Sequence, residues 1–161
     1  MAERGWPGEA RELFERGYEA QEAGRLDEAV DLYERSLAIH QSAEAHTFIG
    51  WALHQQGKDE EAIEACHRAI AVDPAFGNPY NDIGAYLIDL GREDEAIEWL
   101  ERAKTAPRYE PRHYPYLNLA RIYAGQHKVR EAIGQLESAI AIEPAHPGAR
   151  KELHRLIGML N

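Results

Sequence analysis

The sequence predicts an all-α fold, an α-solenoid of four helix-turn-helix units closed by a capping helix at the C-terminal end. Three observations predict it. A Glu-Ala-(Val/Ile) element recurs four times, at Glu28-Ala29-Val30, Glu61-Ala62-Ile63, Glu95-Ala96-Ile97 and Glu131-Ala132-Ile133, with its alanines 33, 34 and 36 residues apart. Small residues keep step with it: Gly17, Gly50, Gly84 and Ala120 lie twelve residues before those alanines, and Ser36, Ala69, Ala103 and Ala139 seven after. Glycine and proline fall where helices have to stop. A period near 34 is that of a stacked helical hairpin, and small residues at fixed intervals mark places where two helices approach too closely for a larger side chain.

Residues 1–9 form a leading segment, in which Trp6 and Pro7 fold back over Phe14 and Tyr18 as a cap or dock on a neighbouring copy. Unit one, 10–42, has Leu13 and Ala20 on the apolar face of its first helix and Tyr33 on that of its second. Unit two, 43–76, repeats this with Ile49, Leu53 and Cys66 and ends at Asp73-Pro74, because proline cannot continue the hydrogen-bond ladder. Unit three, 77–112, uses Ile83, Leu87 and Leu100. Its irregular stretch near 104–113 holds two extra residues and several breakers, which makes it the expected site of a bend. Unit four, 113–146, uses Leu119, Tyr123 and Leu136 and ends at Glu143-Pro144. Gly24, Gly57 and Gly91 separate the helices of the first three units, and the glycine of the fourth is expected at Gly125. Residues 147–161 make the cap, with Ala149, Leu153, Leu156, Ile157 and Leu160 on one face and Arg150, Lys151 and Arg155 elsewhere.

These landmarks closely resemble the tetratricopeptide repeat (TPR) family, whose Trp-x2-Leu-Gly-x2-Tyr, Ala-x3-Phe and Pro pattern all four units meet in degenerate form between about Ala10 and His146. The resemblance implies a right-handed superhelix with the first helices lining the concave side. It also implies a protein-binding adaptor or scaffold, not a catalyst. The first-helix residues left over after the core is assigned then become the expected peptide-binding groove: Tyr18, Trp51, His54, Asn78, Asn81, Tyr114, Asn118 and Arg121. Aromatic side chains offer contact area at low entropic cost, and asparagine amides both donate to and accept from an extended backbone. Against this stands plain packing of Trp51 and Tyr18 on the next unit, and helix capping by Asn78, which Pro79 follows. Some family members clamp a terminal carboxylate with lysines, asparagines and arginine. The matching positions here are Phe14, Tyr18, Phe48, Asn78 and Asp82, or one unit later Thr47, Trp51, Asp82, Tyr114 and Asn118, and none is lysine. The alternative function is a homo-oligomeric scaffold that assembles through its own repeats.

Composition narrows the partners. Twenty-eight acidic against 18 basic residues give a net charge of −10, which opposes binding to a phosphate backbone, so the expected partner is a protein or peptide and not nucleic acid. No apolar run approaches the length of a membrane span, and the start carries acids in place of a secretory signal, so membrane insertion is excluded and a cytoplasmic location is expected. The single cysteine, Cys66, is read as a buried, inert thiol. No cofactor or metal is expected. His46 and His54 are eight residues apart, and Glu64-x-x-His67 has no second such element to complete a di-iron bundle. Gly50, Gly57 and Lys58 are misspaced for a phosphate loop, and no nucleophile motif occurs.

Overall fold

The computed structural model describes residues 5–161, and among them every regular element is helical. The order is α1 (Gly8–Glu22), α2 (Leu26–Ile39), α3 (Ala43–Gln55), α4 (Asp59–Val72), α5 (Asn78–Asp89), α6 (Glu93–Lys104), α7 (Tyr114–Gly125), α8 (Val129–Ile142) and α9 (Pro147–Gly158). Helix α1 starts at Gly8, two residues before the expected boundary at 10, with Pro7 at its N-cap position. Trp6 does fold back, but onto Phe14 and His40, each ring 5.3 Å away, and not onto Tyr18.

Consecutive helices pack as antiparallel hairpins, and each hairpin rests on the next. The repeated small residues are where the two helices of a hairpin touch. A methyl group added to Gly17 would meet the Tyr33 ring at 2.7 Å, one on Gly50 would meet the Cys66 thiol at 3.2 Å, and one on Gly84 would meet Leu100 at 2.5 Å. In each case the partner lies sixteen residues on, and Ala120 and Leu136 repeat the arrangement in the fourth hairpin. Tyr33, Cys66 and Leu100 are fully buried. Where unit one carries Ser36 in place of alanine, the buried hydroxyl donates to the Ala10 carbonyl at 2.7 Å, so the polar atom is satisfied.

The hairpin turns share one hydrogen-bonding device. Gly24, Gly57 and Gly91 adopt φ of 79°, 78° and 76°, and the following Arg25, Lys58 and Arg92 amides donate back to Ala20, Leu53 and Leu87. In the fourth turn the left-handed residue is His127, φ 60°, with Lys128 donating to Tyr123 at 2.9 Å. This corrects the expectation for Gly125, which lies in the last turn of α7. Asp73 and Glu143 are the C-cap residues of α4 and α8, immediately before their prolines.

The 105–113 stretch is pinned to the preceding loop. Arg108 donates to the Ala75 carbonyl and Gly77 donates to the Arg108 carbonyl, both at 2.9 Å, which forms a short parallel bridge between Phe76 and Arg108. Tyr109 is buried with Tyr80, Ala103 and Ala106, against Gly77, where no β-carbon would fit. Arg112 closes the segment by donating to the carbonyls of Lys104 (2.6 Å) and Ala106 (2.9 Å).

Candidate functional site: the inner groove

The odd-numbered helices touch one another across unit boundaries, α1 with α3, α3 with α5 and α5 with α7, while the even-numbered ones make no comparable contact. A stack whose first helices converge and whose second helices diverge curves toward the first. The inner face is therefore built from α1, α3, α5 and α7.

On this face lies a cavity of about 500 Å³. Helix α3 contributes Thr47, Phe48, Trp51 and His54, successive turns of one face. Helix α5 contributes Asn78, Asp82 and Tyr86, spaced by four, and α7 contributes Tyr114. Phe76 and Pro111, from the two bridged loops, close one side. Trp51 and Tyr114 are 37% and 43% exposed, so neither ring is used up in the core. Tyr18, 42% exposed, extends the aromatic surface by one unit, edge-on to Phe48 at 5.8 Å, and Phe48 in turn is 5.8 Å from Trp51.

Four of the eight expected groove residues, Trp51, His54, Asn78 and Tyr114, thus line one cavity. Asn78 does not cap α5: it is the first helical residue, Gly77 holds the cap position, and the Asn78 Oδ1 atom is buried without a hydrogen-bond partner. Asn81 and Asn118 bond to each other, the Asn118 amide donating to Asn81 Oδ1 at 3.0 Å, and Asn81 is only 8% exposed. This pair braces α5 against α7. Arg121 is exposed, pairs with Asp89 at 3.1 Å and borders a different cavity, between α7, α8 and α9. A further brace joins units one and two, with Tyr33 donating to Gln21 and Gln21 to Gln55, at 2.7 and 2.6 Å.

Sequence reasoning passed over Asp82 and the loop residues as members of the site. Asp82 sits four residues after Asn78, so its position on the same helix face was the available signal. Burial pushes its carboxyl up to about 7, partly offset by the Asn81 amide and by His54. No lysine or arginine lines the cavity. The histidine spacing also concealed a three-dimensional cluster: His54, Asp59 and Asp89, from α3, α4 and α5, bring ligand atoms within 4.8 Å of one another. A histidine with two carboxylates can hold a divalent cation. Here the members are engaged with protein partners, His54 Nδ1 with Asp59 at 2.6 Å and Asp89 with Arg121. His54 also stacks on Tyr86 at 4.6 Å. Cys66 is fully buried, and burial pushes its thiol well above the usual range, as an inert core residue requires.

The tetratricopeptide repeat pattern matches residues 14–79 and again 78–108, and the chain belongs to the tetratricopeptide repeat family. The small glutamine-rich tetratricopeptide repeat-containing protein 2 of Mycosarcoma maydis is 28% identical over 90 residues, which is 55% of this chain and 26% of that protein. The chain thus spans about a quarter of that relative's length. Among solved structures, PilF of Pseudomonas aeruginosa superposes with a TM-score of 0.86 at 21% identity, over 93% of this chain and 68% of that one. YrrB, described as a TPR protein with an unusual peptide-binding site, superposes with a TM-score of 0.70 at 21% identity, over 89% and 73%. These likenesses establish a shared all-α TPR solenoid. None of the described helices is long and apolar enough to cross a membrane.

Proposed function

We propose that this protein is an interaction adaptor that holds a segment of another polypeptide in the inner groove. The observation that carries the reading is the cavity between α3, α5 and α7, which the exposed rings of Trp51 and Tyr114 line together with Thr47, Asn78 and Asp82. Large rigid rings beside a few amide and carboxyl groups are the composition of a peptide-recognition surface, in which aromatics supply most of the energy. A fold relative described by its peptide-binding site, YrrB, supports the same reading. The test is affinity capture from a lysate of the source organism, comparing the native chain with a Trp51→Ala, Tyr114→Ala variant whose helicity is matched by circular dichroism. A defined protein retained by the native chain and lost by the folded variant supports the groove; equal capture by both removes it.

Self-assembly is the second reading, favoured by one observation. The end of the stack exposes Ile157, Met159 and Leu160 together, with no further unit among the described residues to cover them. Light scattering after size exclusion decides: a strict monomer at all concentrations eliminates it.

A further inference from the structure

The inner cavity is lined by aromatic rings together with a carboxyl group, which is an unusual combination for a pocket whose occupant is merely apolar. Asp82 is half-buried and lies on α5 between Asn78 and Tyr86, and the basic side chain that lines the cavity with it is His54, whose Nδ1 pairs with Asp59 at 2.6 Å. The cations on the bordering helices and loops are engaged elsewhere: Arg112 donates to the Lys104 and Ala106 carbonyls. Arg121 is bound to Asp89, and Arg108 is held by Asp73 and by Glu44, the latter at 3.4 Å. The surroundings add negative charge, since Asp59 and Asp89 both flank His54, which itself lines the cavity. Ring faces attract cations electrostatically, and the chain uses this at the cavity edge, where the Arg108 guanidinium lies 4.3 Å over Phe76. Asn78 supplies an amide whose Oδ1 lacks a donor, and rotation of that amide presents the acceptor to whatever enters.

Resting on the groove reading, we infer that this cavity is a specificity pocket for one basic side chain, lysine or arginine, of the bound segment, with its cationic head paired to Asp82 and its stem between Trp51 and Tyr114. Charge complementarity selects this occupant over an acidic one. A carboxylate entering here would meet Asp82 with no compensating cation, and like charges brought together in a half-buried site are strongly unfavourable. An apolar side chain would leave the Asp82 carboxyl desolvated and unpaired. Burial pushes that carboxyl upward against the Asn81 amide and His54, and a cation entering beside it would favour its charged form.

The experiment is selection from a displayed library of random ten-residue peptides, run in parallel on the native chain, Asp82→Asn and Trp51→Ala. Selected peptides are then remade with the basic residue replaced by norleucine. The inference expects native-chain peptides to share lysine or arginine at one fixed position. It expects roughly 10- to 100-fold weaker binding on norleucine replacement, the range for a hydrogen bond to a charged group. Asp82→Asn should show a similar loss. The norleucine arm needs no protein variant, so it stands even if Asp82→Asn folds poorly. Peptides that depend on Trp51 but share no basic position, or that bind equally with norleucine, overturn the cation pocket and leave the groove reading intact. Failure of the native chain to enrich any peptide over Trp51→Ala overturns both.

Discussion

Gly84 and Leu100 allow the packing argument to be tested by a change of sign. A β-carbon on Gly84 would lie 2.5 Å from both Cγ and Cδ2 of Leu100, about 1 Å inside the ordinary carbon–carbon contact of about 3.5–4.0 Å. Leu100 is fully buried and cannot swing into solvent. Gly84→Ala therefore combines an overpacking cost of about 1–3 kcal/mol with a gain of about 1 kcal/mol in helix propensity, for a net loss of about 1 kcal/mol. Leu100→Ala alone opens a cavity and costs about 2–5 kcal/mol. With Leu100 truncated the obstacle is gone, so Gly84→Ala in that background should stabilise by about 1 kcal/mol. The four proteins are compared by urea unfolding followed by helical circular dichroism, with equal slopes as the check that compactness is unchanged. If Gly84→Ala stabilises the native chain as much as it does the Leu100→Ala chain, then close helix approach is not why glycine stands there.

Other consequences are equally direct. Asn81→Ala should cost about 1–3 kcal/mol by stranding the Asn118 amide, and a double-mutant cycle with Asn118→Ala should return a coupling of about 0.5–1.5 kcal/mol; zero coupling would deny the brace. His127→Gly should stabilise by about 1 kcal/mol, because glycine adopts the φ of 60° without steric cost, and an unchanged urea midpoint would contradict that. Asp82 binds its proton more tightly folded than unfolded, about 7 against an ordinary 3.8. Its contribution is therefore full below about pH 4 and is lost as pH rises toward 7. Asp82→Asn, which stays neutral, should gain on the native chain across that interval, and a stability difference that does not vary with pH would refute the account.

Periodicity made most of the architecture readable. Gly17, Gly50 and Gly84 are legible because close approach leaves a mark on residue size, and each faces the residue sixteen positions on, Gly50 also the Ala62 carbonyl at 3.1 Å. Gly125 misled because residue type was followed where spacing was the better guide: the interval from Gly91 that matches the rest of the unit lands on His127, and backbone conformation at a turn needs φ above zero, not glycine as such. Trp51, His54, Asn78 and Tyr114 line one cavity, as helix-face spacing implies once core positions are assigned. Asn81 and Asn118 share the helix face of the expected groove, and their mutual hydrogen bond across 37 residues leaves no local trace in the sequence. The roles of Phe76 and Pro111 depend on pairing between two loops, which no helical period encodes.

That loop pairing has a mechanical consequence. A stack of hairpins behaves like a spring whose compliance sits at the joints between units, since each unit touches only its neighbours. The Phe76–Arg108 bridge fastens the joint entering the third hairpin to the joint leaving it, and buried Tyr109 rivets the two together. Opening one of those joints without the other would break the two bridge hydrogen bonds of 2.9 Å. Trp51, Asp82 and Tyr114 stand on the three hairpins that these joints connect, so a single fastening sets the spacing of the helices that carry them.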